Sequence, residues 1–166
     1  DVAKMGEGIS TSFKYAGAAV TAYAAVTAYA VKQELSHITT QRDLARSMNA
    51  TVTGIRAVNM AAEDSSIDGM EGSLARFTRR LGAVENGTGP AVKAVQALNL
   101  NAKELGKLDV DERMARVADA IRDTGISSQQ ATRYLQDMGF EQKGVYNIFK
   151  DGGDAIRQYR EDVIKY

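Results

Sequence analysis

Five apolar residues in the middle of the chain recur at steps of four and three, which is the repeat of one face of an α-helix. They are Met70, Leu74, Phe77, Leu81 and Val84. No stretch alternates apolar and polar residues for long enough to favour a β-strand, and the chain has a single proline, Pro90. This pattern predicts an all-α fold in which the five residues form one buried seam.

Two pairs of acidic residues mark predicted helix starts. Asp68 with Glu71, and Asp109 with Glu112, have the spacing of a capping box, in which the two residues satisfy free amide groups at the first turn. The first helix is expected to end at Asn86, where residues that tolerate left-handed backbone follow. The second is expected to bury a stripe of apolar residues, namely Met114, Val117, Ala118 and Ile121.

Two glycines mark predicted helix ends. Gly125 and Gly139 each follow an amphipathic stretch, and glycine adopts the left-handed conformation of a helix end at little cost. Ser127 or Ser128 is expected to begin the helix between them. Phe140 after the second glycine predicts a Schellman ending, in which its amide returns to the last turn.

The first part of the chain contains a hexapeptide repeated without change, AAVTAYAAVTAY, at residues 18–29. It lies within residues 15–31, which carry no charge. As a helix these 17 residues would span about 26 Å, slightly less than the ~30 Å hydrocarbon core of a bilayer. Alanine and threonine gain little free energy on transfer from water to a bilayer, and small residues allow helix backbones to approach closely. A helix packed closely against other copies is therefore favoured over a membrane span or a helix on the chain's own core. The proposed packing positions are Gly17, Thr21, Ala22, Tyr23, Ala25 and Tyr29.

The chain is expected to have two parts. Residues 1–48 form a long helix rich in small residues, either coiled-coil-like or membrane-active, and residues 49–166 form a string of short amphipathic helices. Short helices are unstable alone in water, so they must pack on each other or on partners. Because position 1 is not Met and the last residues still have a helical pattern, we expect a fragment of a longer chain.

Composition argues against several classes of function. The 21 basic and 21 acidic residues cancel, which disfavours dedicated nucleic-acid binding, and there is no cysteine. The one histidine, His37, has no partner in the sequence for a zinc site. We therefore expect no enzymatic activity, catalytic residue, metal or cofactor. The acidic group Glu63, Asp64, Asp68 and Glu71 is expected to pair across the surface with the basic group Arg76, Arg79 and Arg80.

Three helical stretches follow one another between residues 50 and 160: SSIDGMEGSLARFTRRLGAVENG, PAVKAVQALNLNAKELGKLDVDERMARVADAIRD and SSQQATRYLQDMGFEQKGVYNIFKDGGDAI. Their order and spacing resemble the helical region of tail tape-measure proteins of long-tailed bacteriophages. The resemblance rests on four short motifs. The first two are a turn at Ala97, Leu98, Asn99 and Leu100 and a helix start at Asp109, Glu112 and Arg113. The others are an apolar stripe at Val117, Ala118, Ala120 and Ile121 and a partly matched glycine-containing helix end at Met138, Gly139, Phe140 and Gly144. Asn99 in place of a frequent glycine and the displaced Phe140 depart from the family pattern, which affects the local turns.

The resemblance implies a structural role. Tape-measure proteins are long helical chains held in several copies inside the tail tube; they set tail length and leave during genome ejection. The expected partners are other copies, as a trimer in preference to a hexamer, and tail tube and tail tip proteins, with the host membrane as a further partner through residues 15–31. The expected location is the virion, in the tail tube or tip, after assembly in the host cytoplasm. The alternatives are a stand-alone helical protein-interaction module and a membrane-active segment used in ejection.

Overall fold

The computed structural model describes residues 41–165. These residues form helices and connections with no β-strand among them, so this part of the chain is all α, as predicted. Most of the predicted long helix and the whole hexapeptide repeat lie outside the described residues. So do His37 and the proposed packing positions Gly17, Thr21, Ala22, Tyr23, Ala25 and Tyr29.

The described residues contain nine helical segments. Residues 41–47 are helical and are called α1 here. The others are α2 (Val52–Asp64), α3 (Met70–Glu85), α4 (Val92–Ala97), α5 (Ala102–Gly106), α6 (Val110–Thr124), α7 (Ser128–Met138), α8 (Tyr146–Phe149) and α9 (Gly153–Lys165).

α6 is the central helix of this arrangement. It packs against α2, α5, α8 and α9, while α3 packs against α2, α5 and α7, and α4 lies on α7. One apolar core runs through all of these elements and also includes Ala45 from α1 and Met48 just after it, both of which the sequence assigned to the long first helix. Helices as short as α4 and α5 are held by this packing, since their own hydrogen bonds are too few to make them stable in water.

The predicted seam of α3 faces this core. Met70, Leu74, Phe77 and Leu81 are each at most 2% exposed, whereas Val84 is half-buried at the edge of the core. The ring of Phe77 lies 5.0 Å from that of Phe140, which in turn lies 5.3 Å from that of Phe149 in edge-on contact. Such tilted ring pairs are favourable beyond their buried area, so these three rings join α3, α8 and the segment after α7.

The predicted capping box at the start of α3 is wrong. The residue before the helix is Gly69, which is left-handed (φ 78°), and no side chain caps the first turn. The chain leaves α2 through Ser66, also left-handed (φ 56°), and this tight connection brings α3 back beside α2. Glu71 consequently accepts a hydrogen bond from Asn59 of α2 at 3.2 Å.

The start of α6 and the two glycine endings are confirmed. Asp109 is the N-cap of α6, but the predicted capping box is incomplete because Glu112 binds Arg116 and Arg157 instead of the Asp109 amide. Gly125 and Gly139 end α6 and α7 with φ of 67° and 115°. Ser127 caps α7 by accepting from the amide of Gln130 at 3.1 Å. The predicted Schellman ending is also present, because the amide of Phe140 donates to the carbonyl of Leu135 at 2.8 Å. The predicted α6 stripe of Met114, Val117, Ala118 and Ile121 is buried.

Candidate functional site

The most enclosed charged group of the described residues is Arg113 on α6, which is 1% exposed. Its Nε donates to the carbonyl of Leu108 at 2.7 Å, and its Nη1 donates to the hydroxyl of Thr78 at 3.2 Å. Its Nη2 donates to the carbonyls of Met48 at 2.9 Å, Asn49 at 3.3 Å and Gly106 at 3.4 Å.

These carbonyls lie at or just after the last residues of α1 and α5, where backbone acceptors have no helical partner and the helix dipole is negative. The cation of Arg113 is therefore compensated by backbone oxygens. Burial lowers the pKa of Arg113 and the nearby Asp109 opposes this effect. The guanidinium remains charged at neutral pH because its ordinary pKa is so high. Arg113 thus joins α1, α3, α5 and α6.

A second charged cluster joins α6 to α9. Arg157 of α9 binds Glu112 with two nitrogens, Nε to Oε1 at 3.0 Å and Nη2 to Oε2 at 2.8 Å. It also donates to Asp119 and to Asp154, in each case at 2.9 Å. This two-nitrogen geometry matches a guanidinium to a carboxylate and is the strongest form of such a pair.

Arg160, one turn further along α9, contacts the start of α6. It lies 3.0 Å from Asp109 and 2.8 Å from Asp111, whose side chain is 3% exposed. Asp109 also accepts from the amide of Thr51 at 3.0 Å and from the Thr51 hydroxyl. Thr51 is the N-cap of α2, so this carboxylate ties together the starts of α2 and α6 and the middle of α9.

The first residue of α9 is capped by a side chain of another helix. The amide of Gly153 donates to Oδ1 of Asp119 at 2.7 Å. A carboxylate at a helix start satisfies a free amide and complements the positive end of the dipole. A β-carbon at Gly153 would lie 2.6 Å from Asp119 Oδ1 and would also collide with the carbonyl of Ala115. Glycine at this position permits the close approach of α9 to α6.

The surroundings of the three shared carboxylates favour their ionised forms. Burial raises the pKa of Asp109, but hydrogen bonds from Thr51, Arg160 and the amide of Val110 outweigh it and lower the pKa overall. The pKa values of Glu112 and Asp119 are likewise lowered, because hydrogen bonds outweigh burial, chiefly from Arg157 at Glu112 and from the Gly153 amide and then Arg157 at Asp119. None of these carboxyls is therefore poised to exchange protons near neutral pH, as general acid–base catalysis requires.

α9 makes one further polar link, to α2. The hydroxyl of Tyr159 donates to Asp64 at 2.8 Å. Burial and the hydrogen bond to Asp64 together raise the pKa of Tyr159 to about 12. The phenol consequently remains a hydrogen-bond donor throughout the neutral range.

The predicted pairing of the basic group with the acidic group is wrong. Arg76 donates through Nε to the carbonyl of Gly139 at 3.1 Å, and Arg80 donates to the carbonyls of Gln136 and Asp137 at 3.0 and 3.1 Å. These oxygens belong to the end of α7, whose free carbonyls and negative dipole attract a cation. The arginines therefore cap α7 instead of pairing with the acidic residues at the end of α2 and the start of α3.

The interhelical role of Arg113, Arg157 and Arg160 was missed from the sequence. Arg113 stands on the face of α6 that also carries the buried Val110 and Val117, three residues before and four after it. A charge at a position of an apolar stripe is a signal that it has a buried partner. The α9 arginines had no comparable signal, because their acceptors are far away in the sequence.

The geometry of both clusters is that of a structural link. The carboxylates around α9 are shared among arginines and backbone amides, and the described residues contain no group of three or more acidic, His or Cys side chains suited to hold a metal. Two surface depressions of about 240 and 380 Å³ lie near the end of α1, with mixed polar and apolar linings that include Arg46 and Asn49. In residues 41–165 no helix is both long and apolar enough to cross a bilayer.

Comparison with protein-family models, curated proteins and solved structures found no match to this chain.

Proposed function

We propose that the chain is a structural component of a bacteriophage tail, a tape measure protein that sets tail length, occupies the tail tube or tip and is released at genome ejection. The observation that carries the proposal is the order of helical elements between residues 50 and 160, which resembles that of tape-measure proteins. Equal numbers of acidic and basic residues suit a protein that shares a tube with DNA, because a basic chain would bind the genome and a highly charged one would repel its own copies.

The geometry of the described residues suggests which part of a ruler they would form. The longest of their helices with defined ends, α3, has 16 residues and is about 24 Å long. The helices fold back on one another around α6 instead of running along one axis. In this proposal residues 41–165 are a compact unit at one end of the ruler, held at the tail tip, and helices elsewhere in the parent protein supply axial length.

The proposed partners are other copies of the chain and the proteins of the tail tube and tip. Contacts between copies are assigned to residues 15–31, because small side chains at helical spacing allow close approach of helix backbones. A trimer is the preferred stoichiometry. Leucine at both Ala22 and Ala25 should then disturb assembly, at an overpacking cost of roughly 1–3 kcal/mol per site. An unchanged oligomer mass and tail yield in this double variant would argue against the assignment.

Two deletion series in the phage that encodes the chain would test the ruler. Removing 18 residues, five helical turns, from an axial helix of the parent protein should shorten tails by about 27 Å, and removing twice as many should double the loss. Deletions within residues 41–165 should instead reduce tail yield, because they disrupt the compact unit and do not remove axial length. Tail lengths are measured in electron micrographs. Tails of wild-type length throughout the first series would exclude a ruler.

A point variant would distinguish the effect of the folded unit on tail assembly from the effect of chain length. Arg113→Met removes the donor shared by α1 and α5 without changing chain length, and should lower tail yield while leaving the length of the remaining tails unchanged. Arg116→Met is the matched control, since Arg116 is half-exposed and among residues 41–165 pairs with Glu112 of its own helix alone. Equal yields of normal tails from both variants would contradict an anchoring role for this unit.

A stand-alone helical interaction module is the second candidate. It is supported by the apolar core that residues 41–165 form among themselves. This alternative predicts a soluble monomer whose deletion leaves tails intact. Light scattering of the purified 166-residue chain, together with tail counts from a phage lacking it, distinguishes the two functions. Co-sedimentation with anionic lipid vesicles tests the third candidate, a membrane-active segment at residues 15–31.

A further inference from the structure

α9 packs closely on α2 and α6 but contributes few buried side chains, and it makes many polar contacts. Among its 13 residues only Gly153 and Ile156 are buried, and Tyr159 is partly buried against the core. α6, with 15 residues, buries eight. An isolated helix of 13 residues is marginal in water, so α9 depends on its attachment to remain folded.

The polar contacts of α9 are concentrated on α6. Arg157 binds Glu112 and Asp119, Arg160 contacts the start of the same helix, and the first amide of α9 is capped by Asp119. The arginine side chains are about a third exposed, at 34% and 37%. Ion pairs that are open to solvent are weakened by dissolved salt, whereas apolar contacts are not.

The rest of the unit is joined by contacts that do not involve α9. The rings of Phe77, Phe140 and Phe149 join α3, α8 and the segment after α7, and Arg113 joins α1, α3, α5 and α6. The connection into α9 contains Gly152, which is left-handed (φ 87°). A short connection that contains glycine can change its backbone angles easily, because glycine has no β-carbon to clash.

We propose that α9 is a releasable strap: it detaches as one unit from α2 and α6 while α1–α8 remain folded, and ionic strength sets how often it does so. Release exposes the carboxylates that α9 covers, on Asp109, Asp111, Glu112 and Asp119. Asp111 changes most, because it is buried when the strap is closed and Arg160 is its ion-pair partner among the described residues. This inference goes beyond the proposed structural role and does not depend on it.

Amide hydrogen exchange of the 166-residue chain, read residue by residue, tests the strap. At 0.05 M NaCl the central amides of α9 should exchange at least about tenfold faster than those of α6, since they exchange by a partial opening. Raising NaCl to 0.5 M shortens the screening length to roughly 4 Å and should increase the ratio by at least about threefold. Equal protection of the two helices, or a ratio that salt does not change, would overturn the proposal.

A pair of variants gives a second readout at constant salt. Arg160→Gln removes the partner of Asp111 and should speed exchange in α9 by at least about tenfold without changing exchange in α3, because the opening is local. Arg133→Gln on α7 is the matched control, as Arg133 is exposed and forms no ion pair with a described residue. If Arg160→Gln does not fold, Arg157→Lys keeps the charge but loses the two-nitrogen geometry, and should show the same effect in smaller measure. Protection of α9 that matches the control in both variants would refute the strap.

Discussion

The guanidinium of Arg113 donates to the carbonyl of Met48 at 2.9 Å, across 65 residues of sequence. The same side chain donates to two carbonyls at the end of α5, so one buried cation caps the ends of two helices. The relationship explains how a charged side chain is tolerated at 1% exposure: its hydrogen bonds are filled by backbone groups that would otherwise have no partner.

Replacing Arg113 with Met should be strongly destabilising. The change keeps most of the side-chain volume but leaves several buried carbonyls without a donor, at roughly 1–3 kcal/mol for each acceptor that water cannot reach. Urea denaturation gives the loss in free energy of unfolding. Arg116→Met, an exposed control on the same helix, should cost about 0.5 kcal/mol or less. Similar midpoints for the two variants would refute the role assigned to Arg113.

Gly139→Ala should destabilise the protein more than Gly125→Ala. Both glycines are left-handed, so both variants incur the backbone cost of about 1–2 kcal/mol. At Gly139 the added β-carbon would also lie 3.0 Å from the β-carbon of Arg76 and 3.0 Å from the amide nitrogen of Phe77, whereas nothing lies within 4 Å at Gly125. The difference between the melting temperatures of the two variants measures the destabilisation caused by crowding between α3 and the end of α7. Equal losses of melting temperature in the two variants would show that α3 moves aside without a cost in free energy.

Phe77→Ala should cost about 3–5 kcal/mol, because the ring is fully enclosed and leaves a cavity. Arg79→Ala is the appropriate exposed control on α3. Arg76→Ala is not a suitable control, because Arg76 donates to the carbonyl of Gly139 and its loss should also be measurable. Thermal melts of the three variants check the order. A Phe77→Ala melt that coincides with that of the Arg79→Ala control would contradict burial of the seam.

The lowered pKa values of Asp109, Glu112 and Asp119 predict a stability profile at acid pH. A carboxyl whose pKa is lower in the folded state stabilises the fold at pH values above its unfolded pKa of about 4, and this contribution is lost as pH falls through the folded value. Stability should therefore change little between pH 7 and about 5 on account of these groups, and decline below about 4.

Arg157→Gln is the variant that tests this assignment. It removes the main donor to Glu112 and a donor to Asp119, so their folded pKa values move toward the ordinary range and the acid-dependent loss becomes smaller. Urea midpoints at pH 7 and pH 3 for the wild type, this variant and Arg133→Gln provide the comparison. An acid-dependent loss of the same size in all three proteins would assign the effect to other carboxyls.

Much of the local structure of residues 41–165 was predictable from sequence because it depends on neighbouring residues. The seam spacing of Met70 to Leu81 follows from the period of a helix, and the endings at Gly125 and Gly139 follow from the freedom of glycine to adopt positive φ. The N-cap at Asp109 is equally local, since its carboxylate accepts from the adjacent amide of Val110.

The links between helices were decided by the tertiary structure alone. Arg76 caps α7, Arg113 caps α1, and Asp119 caps α9, in each case with a partner at least 34 residues away along the chain. The sequence determined that these side chains carry charge and where α6 and α7 begin. It did not determine which free helix ends they would meet, because that depends on how the helices pack around α6, and the packing is the joint result of many weak apolar contacts spread along the chain.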